Sequence, residues 1–293
     1  MARLAPSVAL EQLPDQPLRI RLLLLVMVTL PFLVTCSVLF LLWGRWVGWL
    51  DVSLMLGFYL VAGLGKSLGY HRLLAHKSFA TTPWLKRLLL MLGCLAFEGD
   101  PLRWSVKHIQ CHAYADVEAA PPRPLAGFWQ AHLTWLVEPQ PSAAVYATWL
   151  KKDPVAVGVS QTWLVWASLG LLIPLVVAGW SGLFWAGLVR IALSHHITWS
   201  AHALCHAFGQ RDFPTRDGSR NHFMVALFCF GEGWLNNHHA FPRAASFSLA
   251  WWQIDSAGAM IHWFERLGLV WNVMRGGERR SGGEAERWRN GEA

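Results

Sequence analysis

The chain has 293 residues, of which 54% are hydrophobic and 15% charged, and it carries 19 Trp. Soluble domains carry about 25% charged residues, so this balance excludes an ordinary soluble fold and points to an integral membrane protein with an aromatic belt. The net charge of +7 fits a positive-inside bias plus a basic tail, with an anionic substrate head or an acidic redox partner as the functional alternative.

A segment over 1–19 precedes the first apolar run and is read as cytoplasmic. A bilayer core of about 30 Å needs about 20 apolar residues as a helix. Residues 20–43 and 52–70 supply two such spans, and 163–178 and 183–197 supply two more. The first run is too long for the apolar part of a signal peptide. The turns at 44–51 and 179–182 are short and nearly free of charge. Arg3 and Arg19 precede the first span and Arg21 lies at its very start, Arg72, Lys77, Lys86 and Arg87 follow the second, and Arg211, Arg216 and Arg220 follow the fourth. The positive-inside rule therefore puts both termini in the cytoplasm. The expected fold is all-α: a membrane domain over 20–274, with two hairpins of spans under a cytoplasmic helical cap at 71–162 and 198–274. Residues 84–97 are too short to span and are read as a helix in the interface or buried under the cap. A loop is expected at 121–124, a return to the membrane at 151–154, and a disordered tail over 275–293. Five Cys occur without a C-x-x-C pair, which leaves neither a disulfide framework nor a zinc ribbon and suits a reduced cytosolic face.

Histidines cluster at the cytoplasmic edge of the apolar runs. His71 and His76, His108 and His112, His202 and His206, and His238 and His239 form four pairs. One histidine on an apolar face is usually a satisfied core residue; eight together read as metal ligands. His108 and His112 are four apart and share a helical face, as do His202 and His206. His238 and His239 are adjacent and point apart, which suits bridging two metals. His71 and His76 are five apart, so on an α-helix they diverge and could serve different metals. The donor set suits iron, zinc or copper, and it is too large for one zinc, so two metals are the economical reading. The soluble di-iron route through Glu-x-x-His pairs is excluded, because no such pair exists in the sequence.

The chain resembles the membrane fatty-acid desaturases of the acyl-CoA delta-9 type, in their short bacterial form, over roughly residues 20 to 265. The first box is matched by Gly69-Tyr70-His71-Arg72-Leu73 through His76-Lys77-Ser78-Phe79, and the second by Trp104 through His112-Ala113-Tyr114. Gly127-Phe128-Trp129 with His132 and Trp135-Leu136 matches a family segment outside the metal boxes. Thr198-Trp199 to Cys205-His206, and Gly231-Glu232-Gly233-Trp234 to His238-His239-Ala240-Phe241-Pro242, complete the pattern. The resemblance implies four membrane helices, two irons held by histidines, and insertion of a double bond into an acyl chain with O2 and two electrons. It places His71, His76, His108, His112, His206, His238 and His239 in ligand positions. Three positions depart from the pattern. Cys111 stands where the second box has a histidine, Leu235 stands where the third box has one, and His202 replaces an Asn that reaches a metal through water. His202 is expected to ligate, and Cys111 is a further candidate.

The remaining residues carry smaller expectations. His132 is read as structural and His222 and His262 as surface or packing residues. His195 and His196 close the fourth span. Glu98, Asp116 and Glu232 are candidate acceptors that orient imidazoles. Lys66 is expected to snorkel to the interface. By the resemblance, Tyr59 lies beside the end of an acyl tunnel, about 18 Å from His71 along an α-helix, with Gly63 one turn nearer the metals. The function expected is an oxygen-dependent di-iron desaturase acting on an acyl thioester of CoA or a carrier protein. No His-Pro-Gly-Gly haem segment occurs, so a separate donor of ferredoxin or cytochrome b5 type is expected, with the lipid bilayer as a partner and no nucleic acid. The alternatives are a hydroxylase or acetylenase on the same scaffold, or an impaired lipid-binding homologue.

Overall fold

A computed structural model describes residues 18–41, 47–114, 128–133, 147–215 and 217–276. The expected N-terminal segment up to residue 17, the end of the first expected span at 42–43, Asp116, the loop at 121–124, Gly127, Trp135, Leu136, Arg216 and the tail from 277 lie outside the described residues.

The fold is predominantly helical. Helix α1 covers Leu18–Leu41. Helix α2, Trp49–Gly65, runs without a break into a π-helix over Lys66–Ala75. Then come α3 (Pro83–Cys94), α4 (Pro101–Tyr114), α5 (Phe128–His132), a 3-10 turn (Thr148–Lys152) and α6 (Pro154–Gln161). Helix α7 spans Trp163–Gly182, a second π-helix follows over Leu183–Val189, and α8 covers Arg190–Ala207. Three short helices close the chain: α9 (Phe223–Phe228), α10 (Leu235–Ala240) and α11 (Ser256–Arg266). Strand β1 (Ala80–Thr81) pairs antiparallel with β2 (Val270–Trp271) and ties the end of the chain to the segment after His76.

Among the described residues, two helices are long and apolar enough to cross a membrane, Trp49–Ala75 and Trp163–Ala207. The second is 45 residues long and is interrupted at Gly179, whose φ of 65° and ψ of −149° leave the helical region. Glycine takes this backbone at little steric cost. The break falls where the sequence places a short turn. Asp51, in the first turn of α2, accepts from the amide of Gly48 at 2.9 Å and from the hydroxyl of Ser181 at 2.8 Å. The start of α2 and the Gly179 turn therefore lie side by side.

Helix α3 does not stand alone. Leu85, Leu89, Leu90, Gly93 and Cys94 are buried, whereas Trp84 and Leu88 are exposed. Its buried face packs against the junction of α2 and the π-helix, where a Cβ on Gly65 would come within 2.4 Å of the Gly93 amide nitrogen. Gly65-x-x-x-Gly69 is a small-residue stripe that lets the two backbones approach.

Arg190 is fully buried between these helices. Its guanidinium donates to the carbonyls of Ala186 at 2.9 Å, Leu95 at 2.7 Å and Gly170 at 3.3 Å. Leu95 caps the C-terminus of α3, where carbonyls lack helical partners. Pro174 has no N–H, so the Gly170 carbonyl four residues back is an orphan too. One arginine satisfies both.

Asp residues start α4 and α6. Asp100 accepts from the amide of Leu102 at 2.8 Å, with Pro101 next to it. Asp153 accepts from the amides of Val155 and Ala156, ahead of α6. Aspartate at the N-cap followed by proline is a strong helix start.

Candidate metal centre

His71 lies in the π-helix and His76 directly follows it. The amide of His76 donates to the carbonyl of His71 at 3.1 Å. On an α-helix of 3.6 residues per turn, residues five apart point about 140° away from each other. Where hydrogen bonds run from i to i+5, the fifth residue comes back over the first. The rings of His71 and His76 are accordingly 4.8 Å apart. The expectation that this pair diverges is corrected: both rings point into one cluster.

His108 and His112 reach the same place from α4, and His238 from α10. Nε2 of His76 lies 2.8 Å from that of His108, which is 3.0 Å from that of His112. His112 Nε2 is 3.0 Å from His238 Nε2, which is 3.2 Å from His71 Nε2. The ligand atoms of all five lie within 4.8 Å of one another. Imidazole nitrogens sit about 2.1 Å from a bound transition metal, so neighbours at right angles are about 3.0 Å apart and opposite ones about 4.2 Å. The four neighbour distances match the right-angle spacing around one ion, and the widest separation, 4.8 Å, lies a little beyond the opposite spacing. Imidazole suits iron, and five donors exceed the four that a structural zinc takes.

Outer residues fix the rings. Glu232 Oε2 lies 2.5 Å from His71 Nδ1, which puts the His71 proton there and leaves Nε2 as a lone pair facing the cluster. Ser67 also donates to Glu232. Burial raises the Glu232 pKa, but His71, Arg72 and Ser67 together bring it down to about 2. Trp104 stacks on His108 at 5.1 Å and 9°, and Phe247 lies 4.3 Å from the ring of His238. Burial first, and the neighbouring imidazoles second, push His108, His112 and His238 well below the ordinary histidine pKa. The fully buried Arg72 holds the wall in place: it pairs with both oxygens of Asp255 at 2.9 Å and lies 4.0 Å over the Phe247 ring.

Helix α10 is only six residues long, too short to be stable alone. Asn236 accepts from the amides of Asp212 and Phe213, both at 2.8 Å. Asn237 donates to the carbonyl of Phe247 and to Gln253, both at 2.9 Å. The two asparagines thus serve as scaffold for the adjacent histidines.

His239, His202 and His206 lie beside the five-histidine cluster. The His239 ring is 4.8 Å from that of His112 and 6.3 Å from that of His206. Its Nδ1 pairs with Asp217. Burial raises the Asp217 pKa, but His239 and the hydroxyls of Thr215 and Ser219 hold it below the usual carboxylate range. His202 lies 6.5 Å from His108, ring to ring. Cys111 is half-buried on α4. Leu235 is buried in an apolar cluster with Ala201, Cys205, Val225 and Cys229.

Other expectations fall out differently. Lys66 does not snorkel: it is buried and pairs with Glu98 at 2.6 Å. Glu98 in turn accepts from the Trp104 indole at 3.2 Å rather than orienting a histidine. His195 binds the carbonyls of Ala96 and Phe97, His196 faces His132 at 3.1 Å, and the His222 ring caps α9 at the amide of Val225. His262 contacts the Gly258 carbonyl at 2.9 Å. The Tyr59 hydroxyl donates to the Phe228 carbonyl at 2.6 Å, and a Cβ on Gly63 would lie 2.0 Å from the Phe230 ring. Sequence reasoning missed Asp217 and the Arg72–Asp255 pair, which join residues far apart in the chain. It also missed the role of Trp104, although its spacing of four from His108 was a readable signal.

A fatty acid desaturase family model matches residues 44–272. The chain is 35% identical over 266 residues to a hex-5-enoyl-[acyl-carrier protein] acetylenase of Moorena producens (strain JHB), covering 83% of each chain. It is 38% identical to an sn-1 stearoyl-lipid 9-desaturase of Anabaena variabilis, over 76% of this chain and 82% of that one. It is 37% identical to an sn-2 palmitoyl-lipid 9-desaturase of Nostoc sp. (strain 36), over 74% and 78%. With the histidine cluster and its outer carboxylate already in place, these matches establish that the chain belongs to the fatty acid desaturase family of oxidoreductases.

Proposed function

We propose that this chain is an oxygen-dependent di-iron desaturase that inserts a double bond into a fatty acyl chain. The convergence of five buried imidazoles on one point, in a member of this family, carries the reading. Iron bound there would supply the O2 activation that unactivated C–H bonds require. His71, His76, His108, His112 and His238 would hold one iron. His202, His206 and His239 would hold the other, with Cys111 as a sulfur candidate. Glu232 and Asp217 keep protons on the outer nitrogens of His71 and His239, so the inner nitrogens face the metals. Trp104 and Phe247 shield the imidazoles from water.

The proposed setting is a membrane, with spans near 20–43, 52–70, 163–178 and 183–197 and a cytoplasmic cap that includes both termini. The break at Gly179 and the bond from Ser181 to Asp51 support two hairpins with adjacent turns. Tyr59 and Gly63 are proposed to contact the acyl chain, since both lie on α2 below His71 and against Phe230. An acyl thioester of CoA or a carrier protein is the proposed substrate, and a separate ferredoxin or cytochrome b5-like protein the electron donor. The acetylenase relative favours one second reading, formation of a triple bond on the same scaffold.

The test is expression in a host that lacks the activity, with fatty-acid profiling and iron analysis of the purified protein. A new monounsaturated acyl chain is expected, and an alkyne product would select the second reading. An unchanged profile from folded, iron-loaded protein supplied with O2 and reductant would overturn both.

A further inference from the structure

We infer that the two metal positions are unequal: a tight five-imidazole site beside a weaker one of three imidazoles. The inference rests on reading the histidines as a metal centre and goes beyond it in ranking the two positions by affinity.

The first position is complete. Five Nε2 atoms converge with neighbour separations of 2.8 to 3.2 Å. Nitrogens about 2.1 Å from one ion would stand about 3.0 Å apart as neighbours, which is the spacing seen here.

The second position is built from fewer parts. His206 and His239 stand 6.3 Å apart, ring to ring, which leaves room for an ion between them. His206 Nδ1 is buried and, among the described residues, has no hydrogen-bond partner. His239 is aimed by Asp217, as His71 is aimed by Glu232. His202 lies one helical turn before His206 on α8. Leu235, three residues before His238 on α10, packs against Ala201 and Cys205, the chain neighbours of His202 and His206 on α8. The Leu235 side chain is only 4% exposed and packs with Val225 and Cys229 as well. An isobutyl group offers no lone pair.

Each position has its own outer carboxylate, so the two can be perturbed separately. Losing such a partner weakens metal binding roughly 10–100-fold. The experiment is a Co(II) titration of the full-length, metal-free protein in detergent, followed by visible absorption and calorimetry. Two steps of one equivalent each are expected, separated roughly tenfold or more. Glu232→Gln should weaken the tight step and Asp217→Asn the weak one. Leu235→His should draw the weak step toward the tight one. A single step of two equivalents, or equal weakening of one step by both carboxylate variants, would overturn the inference. Should Leu235→His fail to fold, the carboxylate pair still decides. The readout is binding alone, so a two-step titration without desaturation would leave the inference standing and defeat the proposed reaction.

Discussion

The backbone amide of His76 bonds to the carbonyl of His71 at 3.1 Å, and this i→i+5 link sets their rings 4.8 Å apart within one cluster of five histidines. Had the chain stayed α-helical, the two rings would point about 140° apart. His71→Ala and His76→Ala should therefore weaken the same tight Co(II) step and spare the weaker one. A titration in which each variant removes a different step would refute the shared position.

Gly65 carries the packing behind that geometry. A methyl group there would press within 2.4 Å of the Gly93 backbone. Gly65→Ala should destabilise the protein by about 1–3 kcal/mol and lower the metal content by shifting the π-helix against α3. Thermal melting and metal analysis of the purified variant read both effects.

Arg190 should be worth more than its exposure-free position suggests. Arg190→Met leaves the carbonyls of Leu95 and Gly170 buried and unpaired, at a cost of about 1–3 kcal/mol each. Pro174→Ala should recover about 1 kcal/mol in that background, because it restores an N–H for Gly170. A double-mutant cycle on unfolding tests this; additive effects would show that Pro174 and Arg190 are not linked through Gly170.

Tyr59 and Gly63 meet Phe230 from the same helix. Tyr59→Ala should shift products toward longer acyl chains. Gly63→Leu should shorten them or abolish product, because any side chain there must displace the Phe230 ring. An unchanged chain-length profile in both variants, with folded and metal-loaded protein, would remove them from the substrate path.

The buried imidazoles make the metal-free protein acid-sensitive. His108, His112 and His238 have pKa values well below 6.5 in the fold. Below about pH 6.5 the unfolded chain binds protons that the folded chain does not, so stability falls as pH falls. Each such group contributes about 1.4 kcal/mol per pH unit in that range. The melting temperature of metal-free protein should drop steadily from pH 6.5 to 5. A flat profile would mean that the cluster opens and protonates without unfolding.

Much of this was legible in order along the chain. Hydropathy gave the apolar helices, and the histidine spacings gave the donors. The i, i+4 rule brought His108 and His112 together because α4 is an ordinary α-helix. The same rule failed for His71 and His76, because the backbone there is wound more loosely. Lys66 was misjudged because its partner Glu98 is 32 residues away. The long apolar segments are likewise met in part: two helices pass on length and apolarity, since 163–207 runs through its Gly179 turn.

By itself the sequence determined the class of chemistry, since eight histidines in close pairs form a donor set that suits iron, zinc or copper. The grouping was decided by tertiary structure. His239 is adjacent to His238 in the chain, yet its Nδ1 pairs with Asp217 and its ring stays outside the cluster, 4.8 Å from His112 and 6.3 Å from His206, while His238 joins the five. Leu235 could be read as a missing ligand, but only packing shows that Ala201, Cys205, Val225 and Cys229 close around it. Ligand geometry depends on distances of a few tenths of an ångström between residues up to 167 positions apart, and local periodicity carries no information at that separation.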